Sequence, residues 1–317
     1  MILRHAVYCT AMTLLLAGCG GPAGDPQTQY RQGVELLSSG HPAKAVELLT
    51  RAAEAGQAEA MMELSTCYNY GTGVGRDQDA AFGWIKKAAD SGSQKARAYI
   101  SIFYLQGIGT PQSPDTAIQL LDEEVKSGNT HAMTILAGLY EVGAGVPEDA
   151  RKALELHRRL ASQGVADSMY YVGRCYIEGT AGLQKNEELG AGWYRKASNA
   201  GSAAGTGKLG ACYMMGRGVE KDPVQGIRLL QEAADAGDAD AMHNLGVCYE
   251  RGLGVEKDVT RAVEFYRQGA EAGCVEAMYN LSVCLANGTG TAKNPDEAAM
   301  WKAKAEEPGI PFRGRDN

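Results

Sequence analysis

The sequence predicts an all-α solenoid of stacked antiparallel helix pairs, and three observations carry that prediction. A glycine recurs at Gly56, Gly92, Gly128, Gly164, Gly201, Gly237, Gly273 and Gly309, in steps of 36 residues with a single step of 37. A second glycine keeps the same beat at Gly71, Gly107, Gly143, Gly179, Gly216, Gly252 and Gly288. Between them the apolar residues fall at helical spacing, as in Ala60, Met61, Leu64 and Tyr68. Self-similarity at a period of about 20–50 residues means supersecondary units that bury their faces against one another.

Composition agrees with a folded chain and removes some functions. The 317 residues are 44% hydrophobic and 22% charged, with a net charge of −7, which is ordinary for a globular protein. The acidity is spread along the chain, and nucleic-acid binding would call for a basic face. Only four Phe and three Trp are present, while small residues are plentiful, which suits closely stacked helices.

The chain is read in order as follows. Residues 1–18 form a signal peptide: Arg4 supplies a positive start, and an apolar run from Ala6 to Leu16 follows. That run is too short to cross a hydrocarbon core of ~30 Å as a helix. Leu16-Ala17-Gly18-Cys19 resembles a bacterial lipobox. The resemblance implies cleavage before Cys19, a diacylated thiol and an acylated new amine. Gly20 in place of Asp resembles the outer-membrane sorting default of Gram-negative lipoproteins, and several acyl chains make a stable anchor. Residues 19–27, rich in Gly and Pro, read as a flexible tether.

Residues 28–56 are an atypical first unit, with helices over 29–38 and 42–54, that serves as an N-terminal cap. Seven longer units follow at 57–92, 93–128, 129–164, 165–201, 202–237, 238–273 and 274–309. In each, helix A carries the stripe named above, with a small residue at the Ser65/Gly246 slot so that helix B packs close. Two glycines such as Gly71 and Gly73 supply the positive φ that stops helix A. Helix B opens on a capping side chain at Asp77, Ser113, Asp149, Asn186, Asp222, Asp258 or Asn294. Pro114, Pro223 and Pro295 follow their caps, where a missing N–H costs nothing. Helix B buries Ala81, Trp84, Ile85, Ala88 and Ala89 and their equivalents. In the unit at 202–237, Gly205-Thr206 replaces Ala-Met, which weakens that helix A. Residues 310–317 are a loose tail.

This many-positioned pattern resembles the Sel-1-like repeat, a relative of the tetratricopeptide repeat, over residues 57–309, with the first unit resembling a tetratricopeptide unit. The resemblance implies a right-handed α-solenoid of about sixteen helices.

Cysteine usage separates two roles. Cys19 is the lipidation site. Cys67, Cys175, Cys212, Cys248 and Cys284 share one repeat position, so neighbours lie about 9–10 Å apart, beyond the ~7 Å limit for a disulfide. With Cys274 they are expected to be free, buried thiols.

The apparent chemical motifs dissolve on inspection. Gly205-Thr-Gly207-Lys208-Leu-Gly210 matches Gly-x-Gly-x-x-Gly but lies inside helix A instead of between a strand and a helix. His41, His131, His157 and His243 are scattered among units, with no His-x-x-x-His pair, so neither a metal nor another cofactor is expected. No Gly-x-Ser-x-Gly elbow is present, and the paired carboxylates suit solvated helix faces. What remains is a surface. By the resemblance, helix-A residues off the packing stripe line a concave partner-binding groove: Met62, Asn69, Tyr70, Tyr170, Arg174, Met214, Met215, His243, Arg251, Tyr279 and Asn287. These vary from unit to unit far more than the stripe does, and Tyr170, Met214, Met215 and Tyr279 are expected to be exposed in it.

The expectation is a non-catalytic scaffold or adaptor for a protein or peptide partner, lipid-anchored at the bacterial cell envelope and facing the periplasm or exterior. The alternative implied by the resemblance is a binder or weak hydrolase of β-lactam or peptidoglycan-like compounds, which would need a nucleophile beside a base.

Overall fold

The structure, a computed structural model, describes residues 24–307. The expected signal peptide, Cys19, most of the tether and the 310–317 tail lie outside the described residues. Among the described residues there are sixteen helices and no strand. They are α1 (Pro26–Ser38), α2 (Pro42–Glu54), α3 (Ala58–Tyr70), α4 (Gln78–Asp90), α5 (Gln94–Gln106), α6 (Pro114–Lys126), α7 (Thr130–Val142) and α8 (Ala150–Ser162). Then come α9 (Ala166–Glu178), α10 (Glu187–Asn199), α11 (Ala203–Met215), α12 (Pro223–Asp235), α13 (Ala239–Arg251), α14 (Val259–Glu271), α15 (Val275–Asn287) and α16 (Pro295–Ala305). Odd-numbered helices are helix A of their pair, and even-numbered ones are helix B.

The chain forms two compact units that divide after His131, within α7. In the first, each helix from α1 to α6 packs on the next, around Leu49, Leu64, Ile85 and Ile100. In the second, consecutive helices pack from α8 to α16. There the helix-A members also touch directly, α9 on α11, α11 on α13 and α13 on α15. This is solenoid packing, in which each element meets only its neighbours.

The helix ends follow the sequence signals. Every helix-B cap predicted from the sequence accepts a backbone N–H with its side chain; Asp77, for example, takes that of Ala80 at 2.9 Å. Such a cap stabilises by about 1 kcal/mol. Helix A ends on a left-handed glycine, as at Gly216 (φ 71°), whose N–H bonds the Cys212 carbonyl.

The second loop glycine does something the sequence did not show. A Cβ on Gly73 would overlap Pro42, on Gly109 the carbonyl of Gln78, on Gly218 that of Glu187, and on Gly290 that of Val259. Each partner lies in the first turn of the preceding pair's helix B, or at its opening residue. The Gly-x-Gly loop therefore stops helix A with its first glycine and seats the next repeat with its second.

The small-residue slot is where helices A and B cross. Ser65 Oγ donates to the Ala81 carbonyl at 2.8 Å. In the next α-pairs of this kind both helices bring glycine: Gly173 faces Gly190, and Gly210 faces Gly226, with an added Cβ lying 3.0–3.1 Å from the opposite carbonyl. The expected weakening of α11 is not seen. It is a full 13-residue helix, because its glycines are contact points: a Cβ on Gly205 would lie 2.6 Å from the Ala197 methyl. Trp84 and Ala89, expected to be buried, are half-buried, while Ala81, Ile85 and Ala88 are buried.

Cys67, Cys175, Cys212, Cys248, Cys274 and Cys284 are free and buried. Desolvation pushes the thiols of Cys67, Cys212 and Cys248 up to about 11 and that of Cys274 to about 12. At neutral pH they are protonated and weakly nucleophilic.

Candidate functional site

The predicted groove residues come together best in the second unit, where helices α9, α11, α13 and α15 lie side by side. Position is set by the repeat: Tyr170, Gly207, His243 and Tyr279 occupy one slot of successive A helices, and Glu178, Met215, Arg251 and Asn287 another. The rows are tied together by contacts between repeats. Lys208 Nζ of α11 meets Asp240 Oδ2 of α13 at 2.6 Å. Asn280 Nδ2 of α15 lies 3.1 Å from His243 Nε2 of α13, so the histidine accepts there and carries its proton on Nδ1. Burial lowers the His243 pKa, against the pull of Glu276 and Asp240, and keeps the ring neutral at pH 7. Partial burial opposes the charge of Lys208, but Asp240 outweighs it and raises the pKa.

On α9, the Tyr170 ring stacks on Tyr194 of α10 with centroids 5.7 Å apart. Arg174 lies 4.9 Å from the Tyr171 ring centroid and reaches Glu141 of α7 at 3.8 Å. Burial works against its charge, and Tyr170, Glu178 and Glu141 together more than offset that.

The exposure expected for the side chains of this row holds for some of them and not for others. Met215 and Tyr279 are exposed, at 58% and 46%, as are Arg251 and Asn287. Met214, expected to be exposed, turns inward and packs against Gly226 of α12 and the core of the C-terminal repeats. Tyr170, also expected to be exposed, is half-buried under its stacking on Tyr194. His243 is held by Asn280. In the first unit Tyr70 is 56% exposed. Asn69 is half-buried, and Met62 packs on the core with its sulfur 4.0 Å from Ser93 Oγ.

Lys208, Asp240 and Asn280 complete the surface. Lys208 sits in the Gly-x-Gly-Lys look-alike, which hides its place in the helix-A row. A readable signal existed, since Lys208–Asp240 and His243–Asn280 are separated by 32 and 37 residues, close to one repeat.

The structure also contains a nucleophile beside a base, which the sequence did not reveal. Ser168 Oγ lies 3.0 Å from His157 Nδ1, and His157 Nε2 lies 2.9 Å from Glu141 Oε1. Tyr171 stacks on the imidazole at 4.0 Å. Geometry of this kind can activate a serine, but Ser168 is only 2% exposed, so a substrate carbonyl has no approach to it. The trio instead bolts α7, α8 and α9 together. Tyr266 does the equivalent for its own pair by donating to Glu250 at 2.8 Å.

Among the described residues no group of three or more His, Cys, Asp or Glu side chains could hold a metal, and no helix is long and apolar enough to cross a membrane. The Sel1 repeat model matches residues 29–57, 58–93, 94–123, 130–165, 166–202, 206–238, 239–274 and 275–307. The chain belongs to the Sel1 repeat family. The first matched segment is the short unit read above as a cap, which differs from the rest by its Ser39-Gly40-His41-Pro42 turn.

Two solved structures resemble this Sel1 repeat chain over most of its length. One is c5321, described as a protective antigen of uropathogenic Escherichia coli strains with an SLR fold. It is 30% identical with a TM-score of 0.61, over 90% of this chain and 62% of that one. The chain thus spans about three-fifths of c5321. The other is a Sel1 repeat protein from Oxalobacter formigenes, 25% identical with a TM-score of 0.65, over 89% of this chain and 83% of that one. No curated protein matches the chain. A Sel1 repeat solenoid is in general a scaffold for protein–protein interaction.

Proposed function

We propose that the chain is a non-catalytic adaptor that binds a protein or peptide segment along the helix-A row, chiefly on α9 to α15. The observation that carries this reading is the division of labour in that row. Lys208–Asp240 and His243–Asn280 tie neighbouring repeats into a fixed platform, while Met215, Arg251, Tyr279 and Asn287 stand exposed on it and differ from repeat to repeat. Preorganised scaffolds carrying exposed aromatic, methionine and arginine side chains lose little entropy when a partner docks. A lipid on Cys19 would hold this platform at the bacterial envelope, most simply at the outer membrane, facing the periplasm or the exterior.

A photo-crosslinker placed at Met215 or Tyr279, with one at Val224 of α12 (75% exposed) as control, tests the reading in cells. The expected result is one protein trapped from both row positions and absent from the control. Equal yields at all three positions would mean that the row stands empty. Hydrolysis of a β-lactam by the purified chain, abolished by Ser168→Ala, would overturn the non-catalytic reading.

A further inference from the structure

We infer that the cleft between α10 and the loop joining α11 to α12 binds a short free peptide of about three residues, held by both of its charged termini. The cleft has a volume of about 910 Å³, within the ~300–1,000 Å³ of small-ligand sites. It lies on helix B and the loop beside it, apart from the helix-A row, so it does not depend on whether that row has a partner.

The sequence of α10 makes the room. Residue 192 is glycine, and a Cβ there would meet nothing within 4 Å, whereas the equivalent positions of α6, α8, α12 and α14 hold Gln119, Glu155, Arg228 and Glu264. Next to it the half-buried Trp193 ring carries the Lys196 ammonium 4.1 Å from its centroid. Arg195 Nη2 donates to the Tyr213 hydroxyl at 3.3 Å, which fixes the guanidinium at the cleft wall. The glycine, tryptophan and lysine recur in α4 as Gly83, Trp84 and Lys87. There, however, Tyr104 packs edge-on against Phe82, whereas α10 has Ala191 at that position and the equivalent tyrosine, Tyr213, meets Arg195. The far wall is equally fixed. Gly218 approaches α10 so closely that a Cβ would overlap the Glu187 carbonyl, and Arg217 Nε bonds Glu187 Oε1 at 3.2 Å. The Asp222 N–H donates to the Tyr213 carbonyl at 2.9 Å. A cleft preformed in this way needs little ordering when a ligand enters.

Charge is separated along it. Glu188 stands in the first turn of α10, and Arg195 follows two turns later, ~10 Å along the axis, with Lys196 beside it. Glu220 joins the carboxylate end through the loop that Gly218 seats on the opening of α10. Among the described residues neither carboxylate is bridged to a cation, and neither Arg195 nor Lys196 to a carboxylate. Nearby Glu187, by contrast, is paired with both Lys185 and Arg217. Asp222 is taken up by capping α12, and Lys221 adds a further cation from the loop. Carboxylates at one end, cations at the other and an aromatic ring between them fit a zwitterion. The α-ammonium of the peptide meets Glu188 and Glu220, and its α-carboxylate meets Arg195 and Lys196. An extended chain advances ~3.3 Å per residue, so about three residues span the ~10 Å between the ends. The middle side chain lies over Trp193 and Leu189, the latter 48% exposed, and an apolar or aromatic one suits them.

The test is isothermal titration calorimetry of the full chain with the tripeptide Ala-Phe-Ala, its N-acetylated form and its C-amidated form. The free tripeptide should bind, and capping either end should weaken binding by about tenfold. Arg195→Gln with Lys196→Gln should remove the difference between the free and amidated forms. Gly192→Gln, which gives α10 the side chain that α6 carries there, should abolish binding without lowering the urea midpoint, because the position is open. No heat from the free tripeptide at millimolar concentration, or equal affinity for all three forms, would overturn the inference. Binding that survives Gly192→Gln would overturn it as well; its loss with Tyr279→Ser would then place the peptide on the helix-A row.

Discussion

Alanine substitution at three glycines of the second unit separates what the repeat's backbone requires from what its packing requires. Gly218 combines φ +67° with a Cβ position that overlaps the Glu187 carbonyl; Gly237 has φ +90° with nothing within 4 Å; Gly192 lies inside α10 with nothing within 4 Å. A side chain in the left-handed region costs about 1–2 kcal/mol, and forcing extra volume into a packed contact costs about 1–3 kcal/mol more. Gly218→Ala should therefore destabilise by about 2–5 kcal/mol, and Gly237→Ala by about 1–2 kcal/mol. Gly192→Ala should instead stabilise by about 0.5–1 kcal/mol, since an open helical glycine only adds unfolded-state entropy. Urea melts followed by far-UV circular dichroism, compared at equal slope, measure all three. Equal losses at 218 and 237 would refute the assignment of the second loop glycine to inter-repeat seating, and a loss at 192 would refute the open-helix reading.

Three further outcomes are expected. The folded-state pKa of His243 is lowered by burial, so below the unfolded value of about 6.5 the unfolded chain binds the extra proton. Stability should therefore fall as pH drops through about 6.5, and His243→Gln should flatten the change in urea midpoint between about pH 7.5 and pH 5. The six described thiols, buried and protonated, should resist a thiol reagent at neutral pH in the native chain and all react in urea; fewer than six reacting there would reveal a disulfide. Cys19→Ala should release the chain from the membrane fraction into the soluble one, and fractionation that leaves it membrane-bound would exclude the anchor.

The fold was almost wholly legible in the sequence because the information that specifies it is local and repeated. A glycine after each helix A, a capping side chain before each helix B and a stripe of small and apolar residues act within a turn or two of their own position. Repetition turned weak signals into a firm assignment, and the Ser65/Gly246 slot was readable for the same reason. The candidate surface was legible only as a row. Whether a side chain in that row faces a partner or the protein depends on what the adjacent helix leaves open. Met214 turns inward because Gly226 leaves it room, and Tyr170 is half-covered because Tyr194 offers a ring to stack on.

By itself, then, the sequence determined the helix pairs, their caps, their period, the free thiols and the row of helix-A positions that lie off the packing stripe. Only the tertiary structure decided that the second glycine of each loop seats the next repeat, that Lys208 belongs to Asp240, and that Ser168, His157 and Glu141 meet in a closed contact. These depend on distances between residues roughly one repeat or half a repeat apart, set by how closely helices cross. A period states which positions are equivalent, but not how near their side chains come.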